Sequence, residues 1–112
     1  MTYEPFDVVV VPFPFTDRPA TKRRPALVVS TASFNRAHRQ AILAMITTTS
    51  DEWPSDVVIG AWQESGLHVP CKIRFKLFTL GDDLIVESIG HLADADCNAV
   101  GKGLRRAVAL AQ

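Results

Sequence analysis

Cysteine is scarce in this sequence: 112 residues carry only Cys71 and Cys97. Two thiols cannot build the dense disulfide framework of a small secreted domain, so the expectation is a cytoplasmic protein in a reducing compartment. Long apolar runs are missing too. The longest covers residues 8–15, far short of the ~20 residues that cross a bilayer as a helix, so no membrane partner is expected. The opening MTYEPFD has two acids and no basic cluster, and does not read as a signal or transit peptide. A glycine-rich phosphate loop, a dinucleotide fingerprint and a nucleophile elbow are all absent. His38, His68, His91, Cys71 and Cys97 do not make the two ligand pairs of a zinc site, so neither metal nor cofactor is expected. Net charge is also missing, with 12 Lys+Arg against 12 Asp+Glu.

What is present is apolar content. At 47% hydrophobic, the chain can bury enough to offset its ordering entropy, which excludes disorder. The length suits one domain over residues 1–112, with no linker, repeat or low-complexity segment. The charges, though balanced in sum, are separated along the chain. Arg18, Lys22, Arg23, Arg24, Arg36 and Arg39 occupy a stretch with no acid between Asp17 and Asp51. Lys72, Arg74 and Lys76 form a second basic stretch, and the acids gather at residues 51–64 and 82–96. Such charges either solvate loops or create a local field that holds phosphate, and charge alone leaves both open.

Residues 7–15, DVVVVPFPF, are β-branched and aromatic and read as a strand. Pro12 and Pro14 remove donors toward the same neighbour, so the far half can pair fully on one side only. Residues 16–24 read as a basic loop and 25–30, PALVVS, as a second strand. Residues 31–40 fit a long loop or a single helical turn. The run ILAMITT at 42–48 predicts a strand buried on both faces. Short strands follow at 57–59, 71–74, 84–87 and 90–92. At the end the period changes. Cys97, Val100, Leu104 and Ala111 recur at helical spacing, with Asp94 as N-cap and Asp96 as a first-turn acid. The sum is a mainly β (α+β) fold, a small barrel or strongly bent antiparallel sheet with a C-terminal helix.

The segment KRRPALVVS at 22–30 carries the clearest chemistry. A basic loop delivers Arg24 to the start of a buried strand, where a planar guanidinium on a fixed root can grip a phosphate bidentately. The same arginine could instead pair with Asp7 or Asp17, and the residues alone leave both readings open. Nothing in the sequence brings His38, His68 and His91 together as an acid–base pair.

Residues 7–17, DVVVVPFPFTD, followed by KRRPALV at 22–28, resemble the opening of the PemK/MazF-type toxins of bacterial type II toxin–antitoxin systems. LAMIT at 43–47 resembles that family's second block, and Gly66-Leu67, the segment 70–74 and the terminal helix follow its order. Phe6 stands where the family usually has glycine. The resemblance covers nearly the whole chain and implies an SH3-like barrel of the CcdB/PemK toxin type, acting as a homodimer. It implies a sequence-specific, metal-independent endoribonuclease that cuts single-stranded RNA as an mRNA interferase. It further implies neutralisation by a cognate antitoxin, with operator DNA reached only through the antitoxin complex. By motif position the catalytic arginine is Arg24 and the catalytic threonine Thr47. Arg18, Lys22 and Arg23 fall where the family contacts RNA and antitoxin.

Attack by a ribose 2′-OH needs that oxygen deprotonated, the leaving oxygen protonated and the phosphorane charge stabilised. A guanidinium stays protonated, so Arg24 suits charge stabilisation better than general-base work. Thr47 can donate a hydrogen bond to a phosphate oxygen, and Thr48 lies within one residue of that role. Trp53, and less so Trp62, Phe13 and Phe15, could stack unpaired bases, while Lys72 and Arg74 extend the RNA-facing cations. A catalytically silent nucleic-acid- or antitoxin-binding module is the alternative. A gyrase poison binding through a C-terminal aromatic fits less well, because the chain ends VALAQ.

Overall fold

A computed structural model describes residues 2–13 and 22–111. The elements in chain order are β1 (Asp7–Phe13), β2 (Lys22–Val28), α1 (Ala32–His38), β3 (Gln40–Thr47), β4 (Val57–Val58), β5 (Lys72–Gly81), β6 (Glu87–His91) and α2 (Asp94–Ala107). The six strands form one antiparallel sheet in the order β4-β5-β3-β2-β1-β6. It is a curled half-barrel with a C-terminal helix, of the kind the bent-sheet reading expected. Irregularities between Val8 and Val9 on β1 and between Leu43 and Met45 on β3 bend the ladder, as bulges do.

Pro12 has the effect that its missing donor implies. β2 pairs with β1 as far as Phe13, whereas β6 pairs with it only from Asp7 to Val10. β3 sits near the centre of the sheet and separates two apolar clusters, as its unbroken apolar run suggests. On one face Val8, Leu27 and Ala44 line up across three strands and pack with Ile46, Ile73, Leu92 and Val100. On the other, Val9, Ala26, Val28, Leu43 and Leu80 form the second cluster. No helix among the described residues is long and apolar enough to cross a membrane.

Several boundaries differ from the sequence reading. β5 runs on to Gly81, well past residue 74, because β3 supplies a partner along it from Thr47↔Lys72 to Gln40↔Gly81. The two short strands expected at 84–87 and 90–92 are one strand, β6, entered through a 3-10 turn at Asp82–Leu84. The polar segment after β2 holds the helix α1, N-capped by Thr31, which accepts from Phe34 N–H, and closed by Arg39 at φ 50°. The N-cap of α2 is Ala93, not Asp94. Asp96 is no mere dipole partner: its buried carboxylate accepts from Gly60 N–H and Ala61 N–H, each at 2.9 Å, and fastens a distant loop to the helix.

Phe6 adopts φ 69°, the left-handed region where a side chain is strained. The conformation is enforced by what the residue joins. Its N–H donates to Val28 C=O at 2.7 Å, and its C=O accepts from Leu92 N–H at 3.1 Å. The ring packs on the first apolar cluster.

Candidate functional site

β2 begins with three exposed cations, Lys22, Arg23 and Arg24, and then runs straight into the buried residues Ala26, Leu27 and Val28. Arg24 is therefore rooted on rigid backbone while its side chain reaches solvent. The β2–β3 ladder ends at Ala26↔Met45, so Arg24 and Thr47 each lie two residues beyond its last pair, at the same end of the sheet. Arg24 also borders a small hollow with Val11, Ala26 and Met45. Thr47 is half-buried and its Oγ1 accepts from Thr49 N–H at 3.2 Å. Thr48 is exposed.

Beside this strand end lies an open cleft of about 610 Å³. Its walls carry Arg23, Arg24, Thr48, His68 and Glu87, and its floor is apolar, with Val10, Pro25, Leu67 and Ile89. Glu87 arrives through the cross-strand row Glu87–Val10–Pro25. His68 arrives on the loop over residues 60–71, whose construction is tight. Gly66 sits at φ 87°, and a Cβ there would stand 2.1 Å from Ile89 C=O. A Cβ on Gly90 would meet Ser65 C=O at the same distance. The two glycines let backbone pass against backbone, Leu67 anchors the loop in the core, and Asp96 holds its start. Cys71 also lines the cleft. Its thiol donates to Val69 C=O, and burial pushes its pKa up, away from nucleophile chemistry.

The second basic stretch is built differently. Arg74 is buried, at 6% exposure, and its guanidinium donates twice to Asp56, at 3.1 and 2.9 Å, and once to Asp51 C=O at 3.1 Å. Lys72 lies 3.5 Å from the same Asp56 carboxylate and donates to Asp51 C=O. The Arg74 hydrogen bonds, with a further one from Trp53 N–H, hold the Asp56 carboxyl at about 2, well below the usual range. Asp51 is lowered chiefly by a hydrogen bond from the Thr49 hydroxyl. Trp53 is 38% exposed, with the Arg74 guanidinium carbon 4.7 Å from its ring centroid. The cation thus stacks on the indole, part of which stays exposed. Glu52, Trp53, Asp56 and Lys72 line a shallower hollow of about 350 Å³.

The fold therefore gathers Arg23, Arg24 and Thr48 into one cleft with Thr47 at the adjoining strand end, and places Trp53, Lys72 and Arg74 in a separate ion-paired cluster. Arg18 lies outside the described residues, as does Phe15. Trp62 is partly buried against the first apolar cluster. The sequence reading left His68 and Glu87 out of the site. The adjacent Gly66-Leu67 was the available signal for His68; for Glu87 only the β1–β6 register could have supplied one. Among the described residues no group of three or more His, Cys, Asp or Glu side chains is placed to hold a metal ion.

Residues 4–108 match the family model described as PemK-like, MazF-like toxin of type II toxin-antitoxin system. Among solved structures the fold is similar to an endoribonuclease in complex with its cognate antitoxin from a mycobacterial species. That likeness has a TM-score of 0.76 at 20% identity, covering 99% of this chain and 97% of the other. MazF from Deinococcus radiodurans gives 0.73 at 21% identity, covering 96% of each chain. A MazE-MazF structure from the same organism gives 0.76 at 17% identity over 99% of each. No curated protein matches the chain in sequence.

Proposed function

The chain belongs to the PemK-like, MazF-like toxins of type II toxin–antitoxin systems, and from that premise we propose that it is a metal-independent endoribonuclease that cuts single-stranded RNA at short sequences. The observation that carries the reading is Arg24, rooted on the first turn-out of a buried strand and facing an open cleft. Its guanidinium grips the scissile phosphate and stabilises the extra charge of the phosphorane as the 2′-oxygen attacks. Thr47, two residues beyond the last β2–β3 pair at the same sheet end as Arg24, donates a hydrogen bond to a phosphate oxygen. Arg23, Lys22 and Thr48 hold the flanking backbone, with Arg18 as a further contact from the preceding loop. The apolar floor of the cleft accepts a splayed base.

Trp53 stacks an unpaired base on its exposed face. Arg74 and Lys72 serve RNA binding through this indole, since their own donors are held by Asp56 and Asp51. A cognate antitoxin with an acidic segment occupies the same basic surface and blocks RNA. Operator DNA is reached only through that complex, and the toxin acts as a homodimer in the cytoplasm.

The test is incubation of the purified protein with single-stranded RNAs of varied sequence, with and without EDTA, beside Arg24→Ala. Cleavage that survives EDTA and falls about 10²–10³-fold in the variant supports the reading. RNA left intact by the wild-type protein, free of antitoxin, overturns it. Salt-dependent RNA binding without product would mark a catalytically silent binding module instead.

A further inference from the structure

We infer that His68 is the group that takes the proton from the attacking ribose 2′-hydroxyl. The inference rests on the ribonuclease reading and supplies what that reading lacks, because neither a guanidinium nor a threonine hydroxyl is a base. His68 is the imidazole that lines the Arg24 cleft. It is exposed, yet its backbone is not loose. Leu67 before it is 6% exposed and Cys71 after it 7%, both in the core cluster. Leu67 N–H donates to Trp62 C=O and Gly66 N–H to Gln63 C=O, and Gly66 passes against Ile89 and Gly90 in a conformation that excludes a side chain. Asp96 fixes the far end of the loop through two backbone N–H groups. The loop is thus a braced platform that presents one exposed imidazole to the cleft opposite β2. That is how a proton acceptor is held ready without being buried.

The step balances as follows. The 2′-oxygen forms a bond to phosphorus and gives its proton to the His68 imidazole. The phosphorus–5′-oxygen bond breaks, leaving a 2′,3′-cyclic phosphate. The departing 5′-oxygen takes a proton from water in the open cleft, and the imidazolium returns its own proton to the hydroxide so formed. Arg24 stabilises the phosphorane between these transfers. The other charged or titratable groups facing the cleft are Arg23 and Arg24 from β2, Glu87 from β6 and the Cys71 thiol.

The experiment measures kcat and KM for cleavage of a labelled single-stranded RNA across about pH 5 to 9. It compares wild type, His68→Ala, His68→Asn and Glu87→Gln, each checked by circular dichroism and melting. The expected result is a fall of about 10²–10⁴-fold in kcat for both His68 variants with KM little changed. The acidic limb of the pH profile should vanish in both, and added imidazole should restore part of the rate to His68→Ala. A His68→Ala enzyme with wild-type kcat overturns the inference while the ribonuclease reading stands. So does a variant that raises KM, keeps the acidic limb and ignores imidazole. Loss of that limb in Glu87→Gln alone assigns the proton to the carboxylate and likewise overturns it. If the wild type cleaves no RNA, the ribonuclease reading fails first and this role falls with it.

Discussion

Replacing Phe6 tests whether backbone strain is held where the chain enters β1. At an ordinary strand position glycine is less stable than alanine by roughly 0.5–1 kcal/mol. At Phe6 the order should invert. The residue sits at φ 69°, where any side chain costs about 1–2 kcal/mol relative to glycine. Glycine's extra freedom in the unfolded chain offsets roughly 0.4–1 kcal/mol of that. Phe6→Gly should therefore be more stable than Phe6→Ala by about 0.5–1 kcal/mol, or about 2–5 °C in melting temperature at this chain length. Both should fall below the wild type, because the half-buried ring packs on the first core cluster and its loss costs roughly 1–2 kcal/mol. The assay is thermal and urea denaturation of the two variants, with Ser88→Gly and Ser88→Ala as the control pair on exposed β6. In the control pair alanine should win. If Phe6→Ala melts at or above Phe6→Gly, the hydrogen bonds to Val28 and from Leu92 do not hold this residue in the left-handed region, and the reasoning fails.

Gly66→Ala forces a Cβ to 2.1 Å from Ile89 C=O at a positive φ, so denaturant unfolding should show a loss of at least ~2 kcal/mol; a near-neutral variant would mean that the loop shifts freely. Asp96→Ala strips two N–H groups of a charged acceptor and should cost about 2–3 kcal/mol in the same measurement, with faster hydrogen exchange at Gly60 and Ala61. Asp56 is held at about 2 when folded, so the stability it contributes is complete above the ordinary carboxylate range and is lost as pH falls from about 5 toward 2. A urea midpoint that follows this course in the wild type, but is flatter in Asp56→Asn, is the expected outcome. Thr47→Ala should lower kcat about 10-fold or more while Thr48→Ala mainly raises KM, because Thr47 is assigned the phosphate oxygen and Thr48 the flanking backbone; equal effects on kcat would refute that division.

The fold was legible where local chemistry and tertiary demand agree. Four consecutive valines in β1, the proline that ends its pairing on one side, the apolar run of β3 and the period of α2 each point to the element that forms. β5 was legible only to residue 74, because Lys76, Leu77 and Thr79 do not alternate cleanly and the strand exists through its ladder with β3. α1 was obscured for the opposite reason. Its one fully buried residue is Asn35, whose amide donates to Tyr3 C=O and whose carbonyl accepts from Ser30, so no apolar stripe advertises the helix. At the site, Arg24 was readable from its place before PALV. His68 was not assigned a role, because only the contact between Gly66 and Gly90, 24 positions apart in sequence, brings its loop to the cleft.

The charge pattern changes meaning once the fold is known. Two basic stretches looked equivalent in sequence, yet the second is neutralised from within. Asp51 and Asp56, part of the acidic block that follows β3, turn back onto Lys72 and Arg74. A buried guanidinium needs such partners, since an uncompensated charge there would be costly. With Lys72 and Arg74 neutralised in this way, Lys22, Arg23 and Arg24 are the exposed cations that stand together at the cleft end of β2. A protein of zero net charge can therefore attract a phosphate chain to one strand end and repel it from the acidic segment 82–87. An acidic antitoxin segment and an RNA backbone drawn to that strand end would compete for it, and the binding of both should weaken as salt rises.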